Sequence, residues 1–205
     1  FVFEVPEKKN ILNIKKLKNK YKIPSKFFYL PNQYWVHKNH FLVLKALKKI
    51  IIKNKSIIII STGYTDDHRS KGYFNEVLSF IKENNLQSNY RHLGVLPYAD
   101  VMSLMFYCVA VLNPSKFEGW SSSVEQAKSM GKKIILSNIG VHKEQNPLRG
   151  IYFNANNFKE LSSILIQTWK NYDEKKEKKF INNAYKLQKE MLIEYAKQYQ
   201  KIILK

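Results

Sequence analysis

The feature that most constrains this chain is a rhythm. Short aliphatic runs bounded by Gly, Pro, Asn or Ser alternate with longer stretches whose apolar residues fall at helical spacing. Residues 57–60 and 134–136 are apolar without interruption, as in strands buried on both faces. The spacing predicts strands over 26–30, 56–61, 90–93, 109–113, 133–137 and 150–153. Between them it predicts helices over 39–53, 72–84, 99–107, 122–130 and 157–169. Strands alternating with helices build repeated βαβ units. The expected fold is therefore α/β, a Rossmann-like doubly wound parallel sheet whose ligands bind beyond the carboxyl ends of its strands.

Three segments follow from the same pattern. Residues 1–25 read as a linker and a short helix, with Ile11, Ile14, Leu17 and Tyr21 at helical spacing between Pro6 and Pro24. Residues 26–170 carry the sheet. Residues 171–205 are charged and lack strand signals, and Leu187, Met191, Tyr195 and Tyr199 predict one or two C-terminal helices. A chain that opens on Phe1, with a linker-like Phe1 to Pro6, is expected to be part of a longer protein.

Composition narrows the function classes. With 44% hydrophobic and 14% aromatic residues in 205, the chain can bury a core and is not a disordered tail. No apolar run reaches the roughly 18–20 residues of a membrane span. Cys108 is the only cysteine, so neither an internal disulfide nor a cysteine zinc site can form. That fits a reducing compartment, the cytoplasm. The net charge of +19 suits an anionic ligand or a peripheral contact with an anionic inner membrane. Thirty-two of the basic residues are Lys and three Arg, whereas base readout leans on Arg, and a nucleic acid is not the expected partner.

The segment from Asn113 to Ala127 follows an apolar strand and opens a helix. Gly119 lets the backbone approach a ligand closely. Ser121, Ser122 and Ser123 fall at the helix start, where unpaired amides and the dipole favour a diphosphate. Glu118 lies in the loop. Glu125, about one turn into the helix, can accept hydrogen bonds from two adjacent ribose hydroxyls. Ser122 and Glu125 are also spaced as a capping box, which would serve the helix alone; the spacing allows both. His37, His40 and His142 lack the spacing and Glu partner of a helical metal site, and no metal is expected.

The residues from Phe117 to Trp120 and from Glu125 to Ser137 resemble the signature of the family 4 glycosyltransferases, which have the GT-B fold of two Rossmann-like halves. That family carries a Glu-x7-Glu spacing; Glu118 and Glu125 are one residue closer, which alters the reach of Glu118. The loop from Leu30 to His40 resembles the family's Gly-Arg-x4-Lys-Gly, with Asn32 in place of Gly, Gln33 in place of Arg, and Lys38 matching the lysine. Its Pro-Asn-Gln and His-Lys-Asn-His form is similar to a subgroup of bacterial polysaccharide-assembly enzymes. The resemblance implies the C-terminal, donor-binding half of a retaining glycosyltransferase. Its substrate would be a nucleotide diphosphate sugar, with neither cofactor nor metal. Lys38 and Glu118 would be catalytic. Asn32, Gln33, Lys38, Glu118, Gly119, the three serines and Glu125 would hold the donor, and Gly94 and Leu96 would line the base pocket. His142 and Glu144 would border the sugar. The acceptor, a glycan or lipid-linked glycan, would bind the other half.

Two other readings stand beside it. One is a basic module for nucleic acid or membrane, its bases stacked on Tyr34, Trp35, His37 and Lys38. The other is a nucleotide-sugar epimerase of the same fold. A glycosidase-type carboxylate pair does not fit, because Glu118 lies in a loop and Glu125 inside a helix, with nothing to separate their pKa values.

Overall fold

The computed structural model describes residues 11–204, and the linker reading of Phe1 to Pro6, with Pro6 itself, lies outside them. Six parallel strands form one sheet: β1 (Phe28–Leu30), β2 (Ile59–Ser61), β3 (Tyr90–His92), β4 (Val111–Asn113), β5 (Ile134–Ser137) and β6 (Gly150–Phe153). Their order is β3-β2-β1-β4-β5-β6. The winding therefore reverses between β1 and β4, where Tyr29 lies opposite Val111. That reversal is the switch point at which an open α/β sheet leaves a crevice.

Side chains alternate across the sheet into two cores. Phe28, Leu30, Ile59, Leu112 and Ile135 enter one, with residues of α2 (His40–Ile51), α3 (Tyr73–Glu83) and α7 (Phe158–Lys170). Tyr29, Ile60, Val111, Ile134 and Leu136 enter the other, under α1 (Ile14–Tyr21), α4 (Tyr98–Tyr107) and α5 (Ser122–Ser129). Double-sided burial is why the aliphatic runs are unbroken. The ladders begin two or three residues later than the runs: Phe27, Ile57 and Val109 are fully buried but precede their strands. They carry the chain into the core ahead of the first paired residue.

Helix ends follow local chemistry. Asn13 caps α1 by accepting from the Lys15 amide, and Asn157 caps α7 by accepting from Glu160. The tail is a single helix, α8 (Glu174–Ile203), capped by Asp173. Its first turns are anchored. Gly131 has φ +68°, and a Cβ there would meet the Ala184 Cβ at 2.7 Å, so α8 lies directly on the turn after α5. Below it the buried Lys132 ammonium donates to the carbonyls of Phe106 and Cys108 and stands 3.7 Å from Glu177, which also binds Arg149. Farther along α8, Leu187, Tyr195 and Tyr199 are exposed, while the side chain of Met191 lies outside the described set. No helix among the described residues is long and apolar enough to cross a membrane.

Candidate functional site

The loops that leave β1 and β4 meet at the switch point. After β1 the chain runs through Pro31 to a 3-10 turn, Val36–Lys38, and then to Asn39, whose left-handed conformation (φ 62°) starts α2. The Asn39 side-chain amide donates to the carbonyls of Pro114 (3.0 Å) and Ala155 (2.9 Å). It thereby ties this loop to those after β4 and β6. The Lys116 amide donates to the His37 carbonyl at 2.8 Å, closing the same seam. On the other side, Gly63 after β2 has φ +141°, and a Cβ there would lie 2.5 Å from the Asn32 carbonyl oxygen. Only glycine permits that approach.

This framework brings Lys38 and Glu118 together. The Lys38 ammonium donates to both carboxylate oxygens of Glu118, at 2.8 and 2.7 Å. Both side chains are largely buried, 14% and 7% exposed. The Ser115 hydroxyl lies 2.7 Å from one Glu118 oxygen and 2.7 Å from Asn113 Oδ1. Its single proton serves one of them at a time. Asn113, at the end of β4, donates to Ser121 Oγ at 2.8 Å and stands 3.4 Å from Ser123 Oγ. Asn32 is buried against the same Asn113, 3.5 Å away, while Gln33 is exposed.

The serines divide. Ser121 and Ser123 are buried and turned toward Asn113, and Ser122 is exposed. The N-cap of α5 is Ser121, one residue before the position the capping-box spacing requires, and no side chain caps the helix. Glu125 does not reach back to the helix start. Its carboxylate, 1% exposed as a residue, accepts from Gln145 Nε2 at 3.0 Å and lies 3.5 Å from Lys128 Nζ. The capping-box alternative is therefore not what the structure adopts. Gly119 is exposed in the loop between the two carboxylates.

The next loop contributes α6 (Gly140–Gln145). His142 is fully buried. Its Nδ1 faces the Ser137 carbonyl at 2.8 Å, which makes Nδ1 the protonated nitrogen, and Nε2 has no partner. Burial pushes its pKa down, the hydrogen bond to the Ser137 carbonyl and then Glu118 pull it partly back, and Lys38 lowers it. Both charged groups thus act on a neutral ring. Glu144 points away, exposed on the far side of the same helix. Gly94 and Leu96 lie in the loop after β3, with Gly94 (φ +77°) accepting from the Gly63 amide at 3.0 Å. The β1 and β2 loops are joined in turn by the Tyr34 amide on the Tyr64 carbonyl, 2.8 Å.

Sequence reasoning missed the residues that build the frame: Asn39, Asn113, Ser115 and Gln145. Asn39 carried a signal, since an Asn directly before an apolar helical run suits a left-handed start. The other three had none, because the partners that give them their place, such as Asn32 for Asn113 and Ser121 and Glu125 for Gln145, are brought to them only by the fold.

The fold has solved counterparts. A glycosyltransferase of Rickettsia africae superposes with a TM-score of 0.74 at 22% identity, covering 94% of this chain and 53% of that one. The Anabaena protein HepE, in complex with UDP, gives a TM-score of 0.78 at 18% identity, covering 98% and 55%. Sucrose-phosphate synthase of Thermosynechococcus elongatus gives 0.69 at 14%, covering 96% and 50%. The chain thus spans about half the length of these structures, as one Rossmann-like half of a GT-B architecture. A comparison with curated protein sequences finds no match. The sequence model of glycosyl transferases group 1 matches residues 11–187, most of the chain, and the protein belongs to that family.

Proposed function

We propose that this chain is the donor-binding half of a retaining glycosyltransferase that uses a nucleotide diphosphate sugar. The observation that carries the proposal is the meeting of Lys38 and Glu118 at the switch point, beside the start of α5. A crevice there receives the diphosphate at helix amides that have no partner within the helix, and the Lys38 ammonium neutralises its charge. In the reaction, the bond from the anomeric carbon to the diphosphate oxygen breaks and a bond to the acceptor hydroxyl oxygen forms on the same face. Lys38 and the α5 amides meet the charge that develops on the leaving diphosphate. The reading assigns this work to protein groups and calls for no metal ion or cofactor.

Glu125 accepts the ribose hydroxyls, Gly94 and Leu96 border the base, and the His142 Nε2 lone pair accepts a hydroxyl of the donor sugar. The unpaired, uncharged state of that ring suits a neutral donor group. Asn32 serves the diphosphate through its contact with Asn113. Gln33 is placed to donate to the diphosphate without adding charge. The acceptor, a glycan or lipid-linked glycan of surface polysaccharide assembly, binds outside this half. The basic surface holds the protein at the cytoplasmic face of an anionic membrane.

The test is calorimetric titration of the chain with UDP, GDP and dTDP, with Glu125→Ala as control. One nucleotide is expected to bind and to bind more weakly to the variant. Binding of none, or equal binding by Glu125→Ala, would overturn the assignment.

A further inference from the structure

The arrangement of the Gln145 side chain is not explained by helix or loop construction. Its side-chain amide is 1% exposed as a residue and donates both protons, one to the Ser121 carbonyl at 2.9 Å and one to Glu125 Oε1 at 3.0 Å. Its own carbonyl oxygen is buried without a partner. Rotating the amide by half a turn would aim that oxygen at two acceptors, so the orientation is forced. The molecule leaves a buried acceptor unsatisfied in order to keep two donors in place, an arrangement that stability alone disfavours. The donors join the two ends of the first turn of α5: Ser121 is its N-cap, and Glu125 is the carboxylate one turn on. Among the described residues the one ion pair of that carboxylate is with Lys128, at 3.5 Å, and the Lys128 ammonium is itself held by the Gln145 backbone carbonyl at 2.7 Å. Side chain and backbone of one residue therefore fix both of the groups that Glu125 can turn toward.

We propose that Gln145 is a positioning residue for nucleotide recognition: it locks Glu125 Oε1 so that Oε2, 3.5 Å from Lys128, meets the ribose hydroxyls of a nucleoside diphosphate. The inference rests on the assignment of Glu125 to the ribose. It gives α6 a part in reading the ribose, separate from diphosphate binding by Lys38 and the α5 amides. Without the Gln145 amide, the carboxylate is free to close the 3.5 Å gap and turn both oxygens to Lys128, and the ribose contact is lost while the diphosphate contact stays.

The experiment compares UDP, 2′-deoxyUDP and inorganic pyrophosphate by calorimetry on the chain, with GDP and 2′-deoxyGDP as the second pair. The proteins are wild type, Gln145→Met, which keeps the volume and removes both donors, and Gln145→Glu, which keeps the shape and adds a like charge. Wild type is expected to favour the ribonucleotide over its deoxy analogue by about tenfold, the scale of a hydrogen bond to a charged group. Both variants are expected to bring that ratio close to one with pyrophosphate affinity unchanged. A ratio that persists in either variant overturns the positioning role and leaves the Glu125 assignment standing. So does an equal loss for all three ligands, which is what loosening of α5 alone would produce. If wild type itself shows no preference for the ribose form, or binds no nucleotide, the Glu125 assignment fails and this inference falls with it.

Discussion

At the residue scale, the central object is an ammonium gripping a carboxylate in a place suited to an anion. Lys38 and Glu118 are more than four-fifths buried, so their attraction is less screened than that of a surface pair. A diphosphate carries more charge than Glu118, and under the proposed function it draws on the Lys38 protons that Glu118 holds. In the proposed reaction Glu118 competes with the diphosphate until the donor enters and frees its carboxylate for the sugar. Under the proposed function the lysine is the charged donor to the leaving group. In a protein that includes the acceptor half, Lys38→Ala is expected to lower turnover by about 10²–10³, the usual effect of removing one such donor. Steady-state turnover with the cognate donor measures this, and an unchanged rate would remove Lys38 from the mechanism.

At the element scale, the loops after β1, β2 and β4 act as one unit because backbone groups pair them edge to edge. Gly63 is the tightest joint. Gly63→Ala would place a methyl 2.5 Å from the Asn32 carbonyl oxygen at a φ that disfavours a side chain. The expected cost is more than about 1 kcal/mol, read as a lower urea midpoint, together with weaker nucleotide binding as the Lys38 loop shifts. A variant with wild-type midpoint would show that the loop is not held there.

The strands and helices of this frame were legible because burial on two faces writes an unbroken apolar run, and burial on one face writes a helical period. Lys38 and Glu118 were legible because they follow such runs. The start of α5 at Ser122 was legible but its cap was not: the N-cap is Ser121, and the hydroxyls of Ser121 and Ser123 are drawn inward by Asn113, a preference no local spacing encodes. Gln145 was invisible for a similar reason. An amide in a polar hexapeptide gains its meaning only from a carboxylate 20 residues earlier in the chain.

At the scale of the whole molecule, the sheet end that holds the site also buries histidines. His40 stacks on Tyr34, with ring centroids 4.1 Å apart, and Tyr34 meets His92 edge-on. Burial pushes His40 down to about 3 and His92 to about 4, from an ordinary 6.5. Both are neutral in the folded protein and take up protons on unfolding as pH falls below about 6.5. The unfolded chain then binds more protons, so stability is complete above that pH and is lost progressively toward pH 4. Urea midpoints at pH 7.5, 6 and 5 are expected to decline, and to decline less in His40→Phe. Parallel profiles would show that His40 does not carry the effect.

The account turns on a diphosphate exchanging with Glu118 for Lys38 at the switch point. The most direct measurement is calorimetric titration of one nucleoside diphosphate into Lys38→Ala and Glu118→Gln beside the wild-type chain. The account predicts opposite changes: weaker binding when the ammonium is removed, and tighter binding when its internal competitor loses its charge. Equal losses in both variants, or no change in either, would contradict it.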